Sequence, residues 1–194
     1  MGAIIAVVVI VVIIIVILAI VISQFNAIRR LKQGVDEQWS GITVQLKRRN
    51  DLIPNLVETV KGYAAHEKST FETIAQMRSA VAQGAQSGNA QATAKADNQL
   101  TDALSHLFAV AENYPDLKAN QNFLQLQGEI TDTEDKVAAS RQLYNTAVNQ
   151  LNTKITTFPG NIFRGMAGVA GETQYYEVPA DQMAAIQEAP KVQF

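Results

Sequence analysis

Cysteine is absent from the sequence, and only two histidines and one tryptophan are present. Without a thiol, disulfides, thiolate zinc sites, iron–sulfur clusters and cysteine nucleophiles are excluded. Neither sign of charge dominates: 16 basic and 18 acidic residues leave a net charge of -2. Phosphate recognition needs a clear basic excess, so nucleic acid is not an expected partner. P-loop, G-x-G-x-x-G and G-x-S-x-G patterns are all missing. Ser105 and His106 are adjacent, but neighbouring helical residues point about 100° apart and form no dyad. A di-iron bundle needs Glu-x-x-His on two helices; the residues three before His66 and His106 are Tyr63 and Ala103. His66-Glu67 also lacks the second histidine of H-E-x-x-H. Gly165, Gly168 and Gly171 read as a loop or a close-packed segment. The chain is therefore expected not to be an enzyme, with no catalytic residue, no cofactor and no metal ligand assigned. An enzymatic reading would require an unexpected metal.

What the sequence does have is one long apolar run. Ala3 to Ile22 carries no charge and is almost entirely Val, Ile, Leu and Ala. About 20 such residues, at about 1.5 Å each, cross a hydrocarbon core of about 30 Å. A cleaved signal peptide would need a basic start, a shorter run and small residues at a cleavage site; none of these is evident. The run is expected to be an uncleaved helical anchor, residues 1–24, that contacts membrane lipid through residues 3–22. Arg29, Arg30 and Lys32 follow the run and no basic side chain precedes it. The positive-inside rule then predicts a cytoplasmic soluble domain; the alternative is the periplasmic or extracellular side. These three cations are candidate lipid-headgroup contacts, each with about 1 kcal/mol of attraction to an anionic surface.

Behind the anchor, apolar residues recur at alternating steps of three and four, a helical period. Ile28, Leu31, Val35, Ile42 and Leu46 predict a helix continuous with the anchor to about Arg49. Asn50-Asp51 and Pro54 suit a cap and the first turn of a second helix. That helix reads Ile53, Val57, Val60, Ala64, Glu67, Phe71, Ile74, Arg78, Val81, and breaks over residues 83–89. A third helix shows Leu100, Leu104, Leu107 and Ala111, ending at Asn113–Asp116. A fourth runs from Phe123 to Ile155 and stops at Phe158-Pro159-Gly160-Asn161. The expected fold is all-α: a single N-terminal transmembrane helix, then an antiparallel bundle of four long helices over residues 25–158. An irregular Gly- and Pro-containing tail follows over 159–194. Within it, short helices are expected near 161–167 and 181–188, with an extended stretch at 175–178.

Four charges fall on seam positions: Glu67, Arg78, Glu134 and Arg141. Buried charge must pair or reach solvent, so they are a candidate buried polar network, with Glu67–Arg141 and Arg78–Glu134 as sensible pairs. They read first as a device fixing helix register, and second as a polar ligand pocket. Lys47-Arg48-Arg49 is the one tight basic cluster. It is expected at a solvated helix end, with partner docking as the alternative.

The run from Trp39-Ser40 through Val44-Gln45-Leu46-Lys47-Arg48-Arg49-Asn50-Asp51-Leu52-Ile53-Pro54-Asn55-Leu56-Val57-Glu58 to Gly62-Tyr63-Ala64-Ala65-His66-Glu67 closely resembles the LemA family signature. The resemblance continues in Thr131-x-x-Glu134-x-Lys136, Arg141-Gln142-x-Tyr144-Asn145 and Phe158-Pro159-x-Asn161. It implies a bacterial inner-membrane protein with one N-terminal helix and a cytoplasm-facing helical bundle. It implies no particular biochemical activity. Two function classes follow. The first is a membrane-anchored, non-enzymatic scaffold or adaptor that forms a homo-oligomer and organises or remodels the membrane. The second is a membrane-tethered sensor that holds a ligand or another protein through a polar patch.

Overall fold

The computed structural model describes residues 1–64 and 66–177; the expected helix at 181–188 lies outside these. The described chain is all-helical, as the sequence period predicts, and its described residues form no strand. The described residues form six helices in order: α1 Gly2–Lys61, α2 Lys68–Ser87, α3 Ala90–Ala111, α4 Pro115–Lys118, α5 Gln121–Thr156 and α6 Gly160–Phe163.

In its first part α1 exposes every side chain from Ala3 to Ile20, so apolar atoms cover its full circumference. Water penalises such a surface and hydrocarbon does not. No acidic or basic side chain interrupts this part of α1, and the run is long enough to cross a membrane. The chain is accordingly a membrane-associated protein.

The helix then departs from expectation by running straight through Pro54. Proline there removes the N–H that would bond Asn50 O and costs about 3 kcal/mol in a helix interior. Ile53, Leu56 and Val60, all fully buried, outweigh it at about 1.5–3 kcal/mol each. α1 ends instead at Lys61 and α2 begins at Lys68, so the periodic run from Ile53 is divided between them.

The next link is shorter than expected. α2 continues to Ser87 and ends on Gly88, whose φ of 68° suits glycine. Asn89 caps α3 by accepting from the Ala92 N–H at 2.9 Å. This two-residue connection makes α2 and α3 antiparallel neighbours. Gly84 permits their close approach: a Cβ there would stand 2.7 Å from Thr93 Oγ1 and 3.0 Å from Thr93 Cα. Asn120 caps α5 through the Phe123 N–H at 3.1 Å.

Two compact units emerge. One comprises Trp39–Tyr144 with the described residues from Gln174 on. It is a helical bundle whose buried seam includes Ile42, Leu46 and Leu56 of α1, Ile74 of α2, Leu104 and Leu107 of α3, and Ile130 of α5. The other unit comprises Met1–Gln38 and Asn145–Thr173. Ile28, Val35, Val148, Leu151, Ile155, Ala167 and Val169 are its buried apolar residues. There the Asn152 amide grips the backbone of Thr173 twice. Nδ2 donates to the carbonyl at 2.9 Å, and Oδ1 accepts from the N–H at 2.8 Å. Of the short helix expected at 161–167, α6 is the regular part.

Candidate functional site

Leu46, Arg49, Ile53, Leu56 and Val60 follow one another on α1 at steps of three and four. Arg49 therefore lies on the seam that these apolar residues form and is 1 % exposed. On α3 the same spacing links Thr93, Asp97, Leu100 and Leu104, and Asp97 is 5 % exposed. The two charges meet inside the bundle. Arg49 Nη1 donates to Asp97 Oδ1 at 3.0 Å, and Nη2 donates to Thr101 Oγ1 at 2.8 Å. The half-exposed Glu134 carboxylate of α5 stands 3.6 Å from Nη2. Tyr176, fully buried, donates its hydroxyl to Asp97 Oδ2 at 3.2 Å.

An aromatic layer adjoins this cluster. The Trp39 ring lies 5.5 Å from Tyr144 and 6.3 Å from Tyr176, tilted against both. Tyr144 donates its hydroxyl to the Gln174 carbonyl at 3.0 Å. Tyr176 is thus held by ring packing, by its hydroxyl, and by the backbone two residues earlier.

Burial is the largest influence on Asp97 and holds its pKa above the usual value. Arg49 and the Tyr176 hydrogen bond oppose that shift, and Glu134 adds to it. Burial, then the charge and hydrogen bond of Asp97, push the Tyr176 phenol well above its usual range. The phenol stays protonated and remains a donor. Arg49 Nε is buried without a hydrogen-bond partner among the described residues, and so is Gln45 Oε1 one turn earlier on α1.

Among the described residues, no ion pair joins any two of the four seam charges singled out in the sequence. Arg78 Nε donates to Asn50 Oδ1 at 2.9 Å. Glu134 approaches Arg49, and among the described residues neither Glu67 nor Arg141 forms an ion pair. Glu67 precedes α2 rather than standing within a helix, because the helix break comes later than expected. Arg141 is exposed yet contributes its field to Asp97. The Lys47-Arg48-Arg49 cluster is not at a helix end, since α1 continues to Lys61. In mid-helix, about 100° of rotation per residue separates its members. Lys47 and Arg48 face solvent, with Lys47 on Asp51 at 2.8 Å, while Arg49 turns inward. Near the apolar run, Arg29 and Arg30 are exposed; the Arg29 guanidinium stands 5.9 Å from the Phe25 ring centre. Lys32 pairs with Asp36 at 3.1 Å.

The buried set Arg49, Asp97 and Tyr176 is what sequence reading missed as a group. A signal was present for two members: both Arg49 and Asp97 keep step with the apolar seam once α1 is allowed to pass Pro54. Tyr176 carries no such period.

A model of the LemA family matches residues 38–194. Magnetosome protein MamQ 2 of Paramagnetospirillum magneticum is 24% identical over 185 residues, which cover 84% of this chain and 68% of that protein. Magnetosome protein MamQ of Magnetospirillum gryphiswaldense is 24% identical over 183 residues, covering 82% and 67%. Protein LemA of Metamycoplasma hominis is 28% identical over 169 residues, covering 87% and 73%.

Proposed function

This chain belongs to the LemA family, and from that footing we propose that it is a membrane-anchored, non-enzymatic scaffold that self-associates at the bacterial inner membrane and organises it. The observation that carries this reading is the continuity of α1. One helix of 60 residues holds both the lipid-length apolar run and Arg49, the charged centre of the bundle. The apolar run and the bundle residue Arg49 therefore belong to one helical element. The chemistry of the cluster supports a structural role. Asp97 and Tyr176 have shifted pKa values, but both are buried and spend their polar atoms on each other and on Arg49. Among the described residues, no three His, Asp or Glu side chains converge as a metal site would require. Two relatives that share most of this chain are named magnetosome proteins, which is in keeping with a membrane-organising role. Arg29, Arg30 and Lys32, just beyond the run, favour a cytoplasmic bundle.

The test is the mass of the full-length protein in mild detergent across a concentration series, beside a chain beginning at Phe25. A large uniform assembly that dissociates without the span supports the scaffold. A monomer in both at the highest concentration overturns self-association.

One observation favours a second reading, a membrane-tethered binding module: the buried Arg49 Nε and Gln45 Oε1 have no hydrogen-bond partner among the described residues. Donor and acceptor stand one turn apart on α1. Native mass spectrometry that finds a small molecule retained by the wild type and lost from Gln45→Leu supports it. Bare protein mass in both removes it.

A further inference from the structure

The turn after α5 divides its side chains into two faces. Gly160 and Ala167 are buried and Phe163 is half-buried. Phe158, Ile162 and Met166, spaced by four, are 79%, 61% and 65% exposed. Only Ile162 lies in α6; Phe158 precedes that helix and Met166 follows it, and backbone hydrogen bonds order the segment around them. Asn161 N–H donates to Thr157 O at 2.9 Å, Arg164 N–H to Gly160 O at 3.1 Å, and Ala167 N–H to Phe163 O at 3.1 Å. Gly160 packs closely on the end of α5, where a Cβ would overlap the Lys154 carbonyl oxygen. Residues 157–171 contain no acidic side chain. Their one cation, Arg164, is exposed and makes no ion pair among the described residues.

The place of this face decides its partner. The turn belongs to the same compact unit as the apolar run of α1. A Cβ on Gly168 would lie 3.7 Å from Arg29 Nη1. Arg29 is seven residues past Ile22, about 10 Å along the helix at 1.5 Å per residue. The headgroup layer ends about 5–7 Å beyond the hydrocarbon, and the Arg29 guanidinium leans back toward it, 5.9 Å from the Phe25 ring centre. Exposed apolar side chains with a basic residue and no acid make up the composition of an interfacial membrane segment.

We infer that Phe158, Ile162 and Met166 form a second, interfacial contact with the bilayer that α1 crosses, with Arg164 and Arg29 on its headgroups. The inference rests on reading residues 3–22 as the membrane span. The occupant of this face is the lipid surface because the span holds that surface beside it permanently, which no soluble partner matches.

The test exploits the absence of native cysteine. Full-length single-cysteine variants Ile162→Cys and Met166→Cys carry an environment-sensitive fluorophore in phosphatidylcholine–phosphatidylglycerol vesicles with headgroup-region quenchers. Ser23→Cys, at the end of the apolar run, is the lipid reference, and Ser105→Cys, exposed on α3, is the aqueous one. The expected result is blue-shifted emission and loss of fluorescence at 162 and 166 matching Ser23→Cys, with neither at Ser105→Cys. Quenching at Ser23→Cys with none at 162 or 166 overturns the second contact and leaves the span intact. No quenching at Ser23→Cys overturns the span reading and the inference with it.

Discussion

Arg49 of α1 and Asp97 of α3, 48 positions apart, share a hydrogen bond of 3.0 Å with both side chains almost wholly removed from water. Each charge alone in that place would be prohibitive. Together, and with Thr101 and Tyr176 taking further hydrogen bonds, they are tolerable. The pair reads as a lock on the register between two helices, and its energetics make it sensitive to one-sided change.

Removing one partner is therefore expected to cost more than removing both. Arg49→Met should lower stability by about 3–5 kcal/mol, because Asp97 is left buried and uncompensated. Arg49→Met with Asp97→Leu should recover much of that loss. Thermal melts in detergent followed by circular dichroism measure both; additive losses in the double variant would contradict the pairing argument.

Asp97 also gives a pH dependence of defined sign. Its folded pKa is raised above the usual 3.8, first by burial. The folded state therefore holds the proton more tightly than the unfolded chain. The stability that Asp97 contributes is fully present below 3.8 and is lost as pH rises through the raised folded value. Asp97→Asn removes this titration. The stability of wild type minus Asp97→Asn should be greatest below 3.8 and decline toward neutral pH; a difference that grows with pH would reverse the assignment.

Tyr176 is expected to matter through one atom and through its ring separately. Tyr176→Phe keeps the packing on Trp39 and removes one hydrogen bond to a carboxylate, at about 1.5–3 kcal/mol. Tyr176→Ala adds a cavity and should cost about 3–5 kcal/mol. Equal losses from the two would show that the hydroxyl carries the whole effect.

Two glycine-to-alanine changes should have opposite signs. At Gly84 the new Cβ meets Thr93 at 2.7–3.0 Å, so overpacking should cost about 1–3 kcal/mol. At Gly128, inside α5, nothing lies within 4 Å of the added carbon. Helix propensity there should yield a gain of about 0.5–1 kcal/mol. Melting temperatures of the two variants distinguish the cases.

The apolar run and the helical seams were legible because their signal is repeated: Ala3–Ile22 is apolar without interruption, and Ile28, Val35, Ile42 and Leu46 hold one period. Local punctuation was less dependable. Pro54 signals a helix start when read with its neighbours alone, but buried Ile53, Leu56 and Val60 override it. That one boundary also concealed Arg49, since a helix ending near residue 49 makes it a solvated terminus and a helix reaching Lys61 makes it core. Tyr176 was illegible for a different reason. Its burial depends on a chain return from α5, held at Tyr144 and Gln174, and tertiary contact of that kind leaves no periodic trace.

The grip of Asn152 on Thr173 has a consequence for how this protein can vary. One amide side chain faces the backbone of one residue and matches both its N–H and its carbonyl, as an adjacent β-strand would. The return segment is thus recognised by its main chain, and the side chain at 173 is incidental to the fit. Any residue with a free N–H is admissible at 173, and proline is not. At position 152 the tolerance is reversed: Asp keeps the acceptor and loses the donor, and Leu loses both. Sequence drift is cheap on one side of this contact and closed on the other.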